Sequence, residues 1–253
     1  MLPKQRKSKI LDIIKEDGFA KVVELARIFK VTEVTIRQDL EKLEEEGLIV
    51  REHGGAFLKN IPSQVQSLQL ANQSNLELKE AIAVKCLAFI ESGDTIILDS
   101  GSTTTEIAKK LIGYTNLTVI TNALNIALLL GPEPGIDVIM TGGEFKGPTL
   151  SLTGQKAADF FEGLNVQKLF LATAGISLKY GLTYPSLSDL VVKKAMIHAA
   201  EITYLVADHT KFGTSALASL GALSLIDFII TDSGIAEKDQ KVLKDNEIEV
   251  IVA

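Results

Sequence analysis

The chain has 253 residues, of which 46% are hydrophobic, 23% charged and 6% aromatic; it has no tryptophan and a formal net charge of −6. That length fits one large or two modest domains with an aliphatic core, and the composition excludes a disordered or collagen-like chain. A single cysteine, Cys86, excludes an intrachain disulfide, a CxxC zinc site and an iron–sulfur cluster held by one chain. No run of about 18 apolar residues is present and the basic start MLPKQRKSK leads into amphipathic sequence, so the expectation is a cytoplasmic protein with no membrane partner.

Residues 1–57 carry 11 Lys/Arg and 11 Asp/Glu, whereas residues 58–253 carry 15 and 21. The first segment is therefore neutral but oriented: Lys4, Arg6, Lys7 and Lys9 open it, and Glu44, Glu45 and Glu46 fall at the end of a later helix. Ile10, Leu11 and Ile14 recur at helical spacing over residues 3–16, before Gly18. Leu25, Ala26 and Phe29 mark a second helix over 21–30. Thr32 is an N-cap for a third, which runs to Glu46 and stops at Gly47. Leu48–Val50 has strand character, and His53-Gly54-Gly55 turns it back toward Ala56-Phe57.

Three helices and a hairpin describe a winged helix-turn-helix, whose last helix enters the major groove of DNA. At 100° per residue, Ile36, Leu40 and Leu43 of the third helix share a core face. Val34, Thr35 and Gln38 lie opposite, with Glu33 and Arg37 on the flank. Those side chains suit base edges: Gln pairs with adenine, Arg with guanine, and Thr or Val meets a thymine methyl. Lys4, Arg6, Lys7, Arg51 and His53 are expected at phosphates, and Asp39 is expected to accept structural hydrogen bonds. The bland alternative is a small helical packing module with solvated charges. A net negative chain also argues against non-specific nucleic-acid coating.

Residues 58–75, LKNIPSQVQSLQLANQSN, are rich in Gln, Asn and Ser and read as a linker. A helical period returns over Leu76–Glu91. From Asp94 onward, short apolar runs alternate with helix-like stretches: Thr95–Leu98, Leu117–Ile120, Ile136–Met140, Leu169–Ala172, Ile202–Ala207, Phe228–Ile230 and Ile248–Val252. Near-continuous apolar strands separated by helices imply a mostly parallel sheet covered on both faces. The expected fold class is thus α+β in two domains, a winged helix-turn-helix at 1–57 and an α/β domain at 76–253.

Small polar residues follow the strands: DSGSTTT at 99–105, Thr121-Asn122, Thr141-Gly142-Gly143, Thr173-Ala174-Gly175, Asp208-His209-Thr210-Lys211 and Thr231-Asp232-Ser233. Ligands of open α/β sheets bind at these carboxyl ends. In DSGSTTT, a strand ends at Asp99, Gly101 permits a tight turn, and Ser102, Thr103 and Thr104 open a helix whose unpaired N–H groups attract an anion, with Ser100 beside them as a further ligand residue. A phosphate is the expected occupant; neither a Walker A loop nor GxGxxG is present, so no nucleotide cofactor is expected. Lys211 supplies a positive charge, Asn122, Asp99, Asp208 and Asp232 suit sugar hydroxyls, and Gly142 and Gly143 line the site. Tyr184-Pro185 and Asp189 are expected to form a covering loop. Plain helix capping by the Ser/Thr cluster is the competing account.

VTEVTIRQDLEKLEEEGLIVREHGGA resembles the N-terminal signature of the DeoR family of bacterial sugar-responsive transcriptional regulators. LDSGSTTTEIA, VITN, TGGE, GLT…VKKAM and ADHTKFG resemble the effector domain of that family, itself similar to ribose-5-phosphate isomerase. The resemblance implies a repressor whose second domain senses a phosphorylated sugar, with Asp99, Gly101, Ser102, Thr103, Thr104, Asn122, Gly143 and Lys211 as ligand residues. Gln38 stands where the family usually has a second Arg, which alters the operator sequence expected. Ala172-Thr173-Ala174-Gly175 lacks the acid of a Gly-Ala-Asp-Gly type sequence, and Val191 replaces one of a pair of acids; both changes alter which sugar fits. One recognition helix per chain implies at least a homodimer on a double-stranded operator. The alternatives are a sugar-phosphate isomerase-like enzyme with an appended DNA-binding module and a scaffold with no ligand. Against the enzyme stand Thr173 in place of an acid and the lack of a His/carboxylate pair close in sequence.

Overall fold

The structure, a computed structural model, describes residues 2–17, 19–52, 54–58 and 75–253. The chain divides into two compact units, Met1–Gln73 and Ser74–Ala253. His53, Gly18 and almost all of the 58–75 linker lie outside the described residues.

The smaller unit has the order α1 (Pro3–Asp17), β1 (Phe19–Lys21), α2 (Val22–Phe29), α3 (Glu33–Glu45), β2 (Ile49–Glu52) and β3 (Gly55–Leu58). The turn between α2 and α3 is made by Lys30 in the left-handed region (φ 54°), whose N–H returns to the end of α2. Thr32 then caps α3: its hydroxyl accepts from the Thr35 N–H at 3.3 Å. Ile36, Leu40 and Leu43 of α3 bury against Ile10, Ile14, Leu25 and Ile49. Removing one such side chain, as in Leu40→Ala, costs about 2–5 kcal/mol. The hairpin pairs antiparallel, and β1 adds to it in the order β1-β3-β2. β1 is three residues long, too short to show an alternation in the sequence.

In the larger unit, α4 (Leu76–Cys86) leads into β4 (Thr95–Leu98), α5 (Ser102–Lys110), β5 (Leu117–Thr121), α6 (Leu124–Leu130) and β6 (Ile136–Met140). A hairpin of β7 (Glu144–Lys146) and β8 (Ser151–Thr153) and the short α7 (Gln155–Asp159) precede β9 (Val166–Ala172). Next come β10 (Gly175–Ser177), β11 (Gly181–Tyr184), α8 (Leu187–Ala199), β12 (Ala200–Val206), β13 (Ala218–Gly221), β14 (Phe228–Thr231), α9 (Glu237–Asp245) and β15 (Glu249–Val252). Seven strands form one sheet, ordered β15-β14-β12-β9-β4-β5-β6, with every pair parallel. Side chains alternate between two cores. Ile96 and Leu98 pack with Ile82, Ile107 and Ile126 of α4, α5 and α6. Ile97 packs on the other face with Ala157, Met196 and Leu243 of α7, α8 and α9. Strand order reverses between β4 and β9, so the switch point where open α/β sheets bind ligands lies at the carboxyl ends of those two strands. The small β10-β11-β13 sheet and the β7–β8 hairpin are additions that the apolar runs did not mark.

Candidate functional sites

On α3 the outward face is Glu33, Val34, Arg37 and Gln38, all exposed, while Thr35 is half-buried and its hydroxyl lies 3.0 Å from that of Thr32. Val34 is 64% exposed. Glu33 accepts from the Arg37 guanidinium at 3.2 Å. Of the cations expected at phosphates, Lys4 is exposed. Lys7 bonds Glu46 at 2.7 Å. Arg51 donates to Glu44 through its backbone N–H at 2.9 Å and through Nε at 2.6 Å; those two bonds from Arg51 hold the Glu44 carboxyl below its ordinary range. Arg6 corrects the sequence reading. It is buried, and its Nε and Nη2 donate to the two Asp39 oxygens at 2.5 and 3.3 Å. A buried bidentate pair fixes α1 to α3 and leaves Arg6 no free face for a phosphate. Its position inside the helical period of Ile10 and Ile14 was the available signal.

At the switch point of the larger unit, Asp99 is fully buried at the end of β4. Its Oδ2 accepts from the Ala172 N–H of β9 at 3.1 Å, and both oxygens accept from Lys193 Nζ of α8. Burial pushes the Asp99 carboxyl up from the ordinary range, against the pull of Lys193 and the N–H donors. With its acceptors engaged in this way, Asp99 holds the sheet and α8 together rather than presenting an open carboxylate to a sugar. Lys193 also lies 4.7 Å from the Tyr184 ring centroid. Tyr184 ends β11, is buried, and donates its hydroxyl to the Ala172 carbonyl at 2.7 Å, so it is a wall and not a covering loop. Burial, then the Asp99 charge, raises its phenol well above the ordinary value. Asp189 sits in the first turn of α8 and accepts from Lys146 of the β7–β8 hairpin at 2.5 Å.

Gly101 precedes α5 with φ −177°, an extended conformation open to any residue. The glycine is needed for space: a Cβ there would lie 2.5 Å from the Ala172 Cβ. No side chain caps α5, so the N–H groups of Ser102, Thr103 and Thr104 have no partner within the helix. Ser100 and Ser102 are half-exposed, whereas Thr103 and Thr104 are buried. The Thr104 hydroxyl donates to the Asp99 carbonyl at 2.6 Å and so stabilises the turn; only its backbone N–H is left for an anion. Gly142 is exposed with open space about it. Gly143 serves packing: at φ +128° a Cβ would meet the Thr153 carbonyl at 2.6 Å and Ala157 Cβ at 2.8 Å.

Asn122 donates its Nδ2 to the Leu152 carbonyl at 3.0 Å, strapping the hairpin to the end of β5. Asp208, fully buried, accepts through Oδ1 from the Thr210 N–H at 3.1 Å, the Thr210 hydroxyl, and Asn75 Nδ2 at 3.3 Å. Lys211 closes the same short turn, half-exposed, with no ion pair among the described residues. Beside it, His209 Nδ1 lies 2.7 Å from Asp232 Oδ2. Burial alone would raise the Asp232 carboxyl, but the N–H groups of His209 and Gly234 and the His209 ring outweigh it and hold it below the ordinary range. Sequence proximity did not reveal this His–carboxylate pair, because its members are 23 residues apart.

Among the described residues, four buried side-chain atoms have no hydrogen-bond partner: Asn122 Oδ1, Thr141 Oγ1, Asp208 Oδ2 and Thr231 Oγ1. All four stand at carboxyl ends, of β5, β6, β12 and β14. Lys193, Asn75 and the pairing of His209 with Asp232 were not picked out from sequence, whereas Thr141 and Thr231 stood in the strand-end segments and Asp232 among the acids suited to sugar hydroxyls. Lys79 of α4, also buried, was missed for the same reason as Lys193: a lysine in a helical period reads as solvated.

A model described as the DeoR-like helix-turn-helix domain matches residues 6–61, and one described as the DeoR C terminal sensor domain matches residues 74–233. The chain belongs to the DeoR family of transcriptional regulators. It is 34% identical over 253 residues to the HTH-type transcriptional regulator GolR of Listeria innocua, covering 100% of both chains. It is 32% identical to the glycerol-3-phosphate regulon repressor of Escherichia coli K12, over 97% of each. With the transcriptional repressor AccR of Agrobacterium fabrum it shares 35% identity, over 90% of this chain and 89% of that one. Ribose 5-phosphate isomerase A from Neisseria gonorrhoeae is similar over 56% of this chain and 55% of its own, at 17% identity and a TM-score of 0.41. Among the described residues no helix is long and apolar enough to cross a membrane.

Proposed function

We propose that this DeoR-family regulator is a cytoplasmic repressor of a carbohydrate-use operon, acting as at least a homodimer on a double-stranded operator and answering to a phosphorylated sugar. α3 reads base edges through Val34, Arg37 and Gln38, with Glu33 and Thr35 at its entrance. Lys4, Lys7 and Arg51 meet phosphates, the last two by exchanging exposed glutamates for DNA. The effector's phosphate sits against the N–H groups of Ser102, Thr103 and Thr104, beside Ser100 and Ser102 and within the field of Lys211. Its hydroxyls meet strand-end groups that include Asn122 and Asp208, with Gly142 leaving room for it.

The observation that carries this reading is the placement of the four unpartnered buried atoms. Leaving such an atom unpaired costs about 1–3 kcal/mol, so native chains keep few of them. Their confinement to the carboxyl ends of a parallel sheet supports the reading that they are kept for a polyhydroxylated ligand. An effector acts only by its difference in affinity between DNA-competent and DNA-incompetent states. The test is a gel shift on the DNA upstream of the protein's own gene, with and without a panel of sugar phosphates. One member is expected to change the shift, and Ser102→Asp is expected to keep DNA binding but lose the response through like-charge repulsion. Normal induction of Ser102→Asp would overturn the phosphate site.

The His209–Asp232 pair favours a second reading, an isomerase-like activity in the same unit. Conversion of any panel member by the protein, abolished in His209→Ala, would decide for it.

A further inference from the structure

We propose that Asn122 and Thr141 form the specificity-determining subsite for the effector, taking adjacent hydroxyls of its carbon chain on the β5–β6 side of the sheet. This rests on the phosphosugar reading above and adds to it the direction in which the sugar lies and the residues that tell one sugar from another.

The geometry begins with Asn122. Its Nδ2 donates to the Leu152 carbonyl of the β7–β8 hairpin, which fixes the amide and leaves Oδ1 as a buried acceptor with nothing to accept from. A carbonyl oxygen has no proton of its own, so its partner must donate; a ligand hydroxyl does so and a phosphate dianion does not. Thr141, 3% exposed and immediately after β6, presents a hydroxyl that is likewise unpartnered. β5 and β6 are paired neighbours, with Thr121 opposite Met140, so Asn122 and Thr141 follow the same register position. Neighbouring strands lie about 4.8 Å apart, which suits hydroxyls on adjacent carbons each bonding its own strand end. Beside Thr141, Gly142 is exposed and has open space where a side chain would stand.

Reach decides the direction. The phosphate site is at the start of α5, directly after β4. From β4, the ends of β5 and β6 lie one and two strands away, roughly 5 and 10 Å, within the span of one monosaccharide phosphate. Asp208 and Thr231 lie on the opposite side of β4, two and three strands away, roughly 10 and 14 Å. A ligand anchored at α5 satisfies the β5–β6 pair first.

Thr141→Val tests this with little change of volume, and Thr141→Ser keeps the hydroxyl. Thermal-shift titrations would use inorganic phosphate, glycerol phosphate, and pentose and hexose phosphates that differ at one hydroxyl. For the sugar phosphate that stabilises the wild type most, Thr141→Val is expected to bind about tenfold more weakly, while Thr141→Ser stays within about twofold. Discrimination between epimers is expected to shrink in Thr141→Val. The free Thr141→Val protein is expected to melt no lower than wild type, because an unpaired hydroxyl has been removed. Inorganic phosphate is expected to protect both alike.

Wild-type affinity of Thr141→Val for that sugar phosphate overturns the subsite. So does a lower melting temperature of the free variant with phosphate and sugar phosphate weakened equally, which marks a structural hydroxyl. If inorganic phosphate protects but no sugar phosphate does better, the subsite fails and the anion site stands. Absence of protection by any of them removes the anion site as well.

Discussion

In the helix-turn-helix unit the side chains proposed to read DNA stand in water: Val34 is 64% exposed, and Glu33, Arg37 and Gln38 are exposed beside it. At the strand ends of the larger unit the polar groups are buried instead, Asp99, Thr104 and Asp208 completely. An exposed reader can be changed without touching the fold. A buried polar group contributes to the fold and to any ligand at once, so loss of response in a variant there has two causes that must be separated. Arg6 and Lys193 show where the line runs. Both are cations in segments that sequence ties to function, and both are buried partners of a carboxylate.

The sharpest way to break the comparison is Lys193→Met, which strands the Asp99 carboxylate in the core. The expected cost is about 3–5 kcal/mol, read by urea unfolding. The double variant Asp99→Leu/Lys193→Met is expected to regain most of it, since replacing both ions by apolar groups removes the unpaired charge. Arg6→Met is the counterpart in the smaller unit, stranding Asp39, and is expected to abolish DNA binding by unfolding. A loss under about 1 kcal/mol for Lys193→Met would return Asp99 to the list of ligand residues.

Next in size is the exposed reader. Arg37→Ala and Gln38→Ala are each expected to lose about 1–3 kcal/mol of discrimination between the operator and a single-base mismatch, measured by competition gel shift. Stability should stay within about 0.5 kcal/mol of wild type. Equal weakening for all sequences would make them phosphate contacts instead.

The parallel sheet was legible because its strands are near-continuous apolar runs; Thr95–Leu98 and Ile136–Met140 are strands at those very bounds. The three-residue strands β1, β7, β8 and β10 were not, because three residues carry no period. The strand-end rim was legible as a cluster of small polar residues. What sequence could not show is which of them were already partnered. Asp99 meets Lys193 94 residues later, and Asp232 meets His209 across 23. The Ser/Thr cluster read as uniform donors, yet the Thr104 hydroxyl turns inward while Thr141, named only as the start of a strand-end segment, is unpartnered.

Acid gives a smaller effect. The Asp232 carboxyl is held below its ordinary range in the folded chain by N–H donors and the His209 ring, so it binds its proton less readily folded than unfolded. Its contribution is present above the unfolded value of about 3.9 and lost as pH falls through the folded one. The stability gap between wild type and Asp232→Asn should therefore be full near pH 7 and narrow below about pH 4. A gap independent of pH would mean that hydrogen-bond geometry, not charge, holds the His209 turn.

The smallest expected effect is at Glu33. Its ion pair with Arg37 is exposed on both sides, 48% and 57%, and spans one helical turn. Such a pair contributes about 0.3–0.5 kcal/mol in water, so Glu33→Gln should leave thermal unfolding almost unchanged. On DNA the same carboxylate stands near phosphates and competes for the Arg37 guanidinium. Its removal is expected to raise operator affinity a few-fold and non-specific affinity by more, so discrimination falls while binding tightens. That outcome would place Glu33 as the residue that keeps Arg37 from binding DNA indiscriminately. A loss of operator affinity would instead assign it a direct contact, the carboxylate accepting from a cytosine amino group.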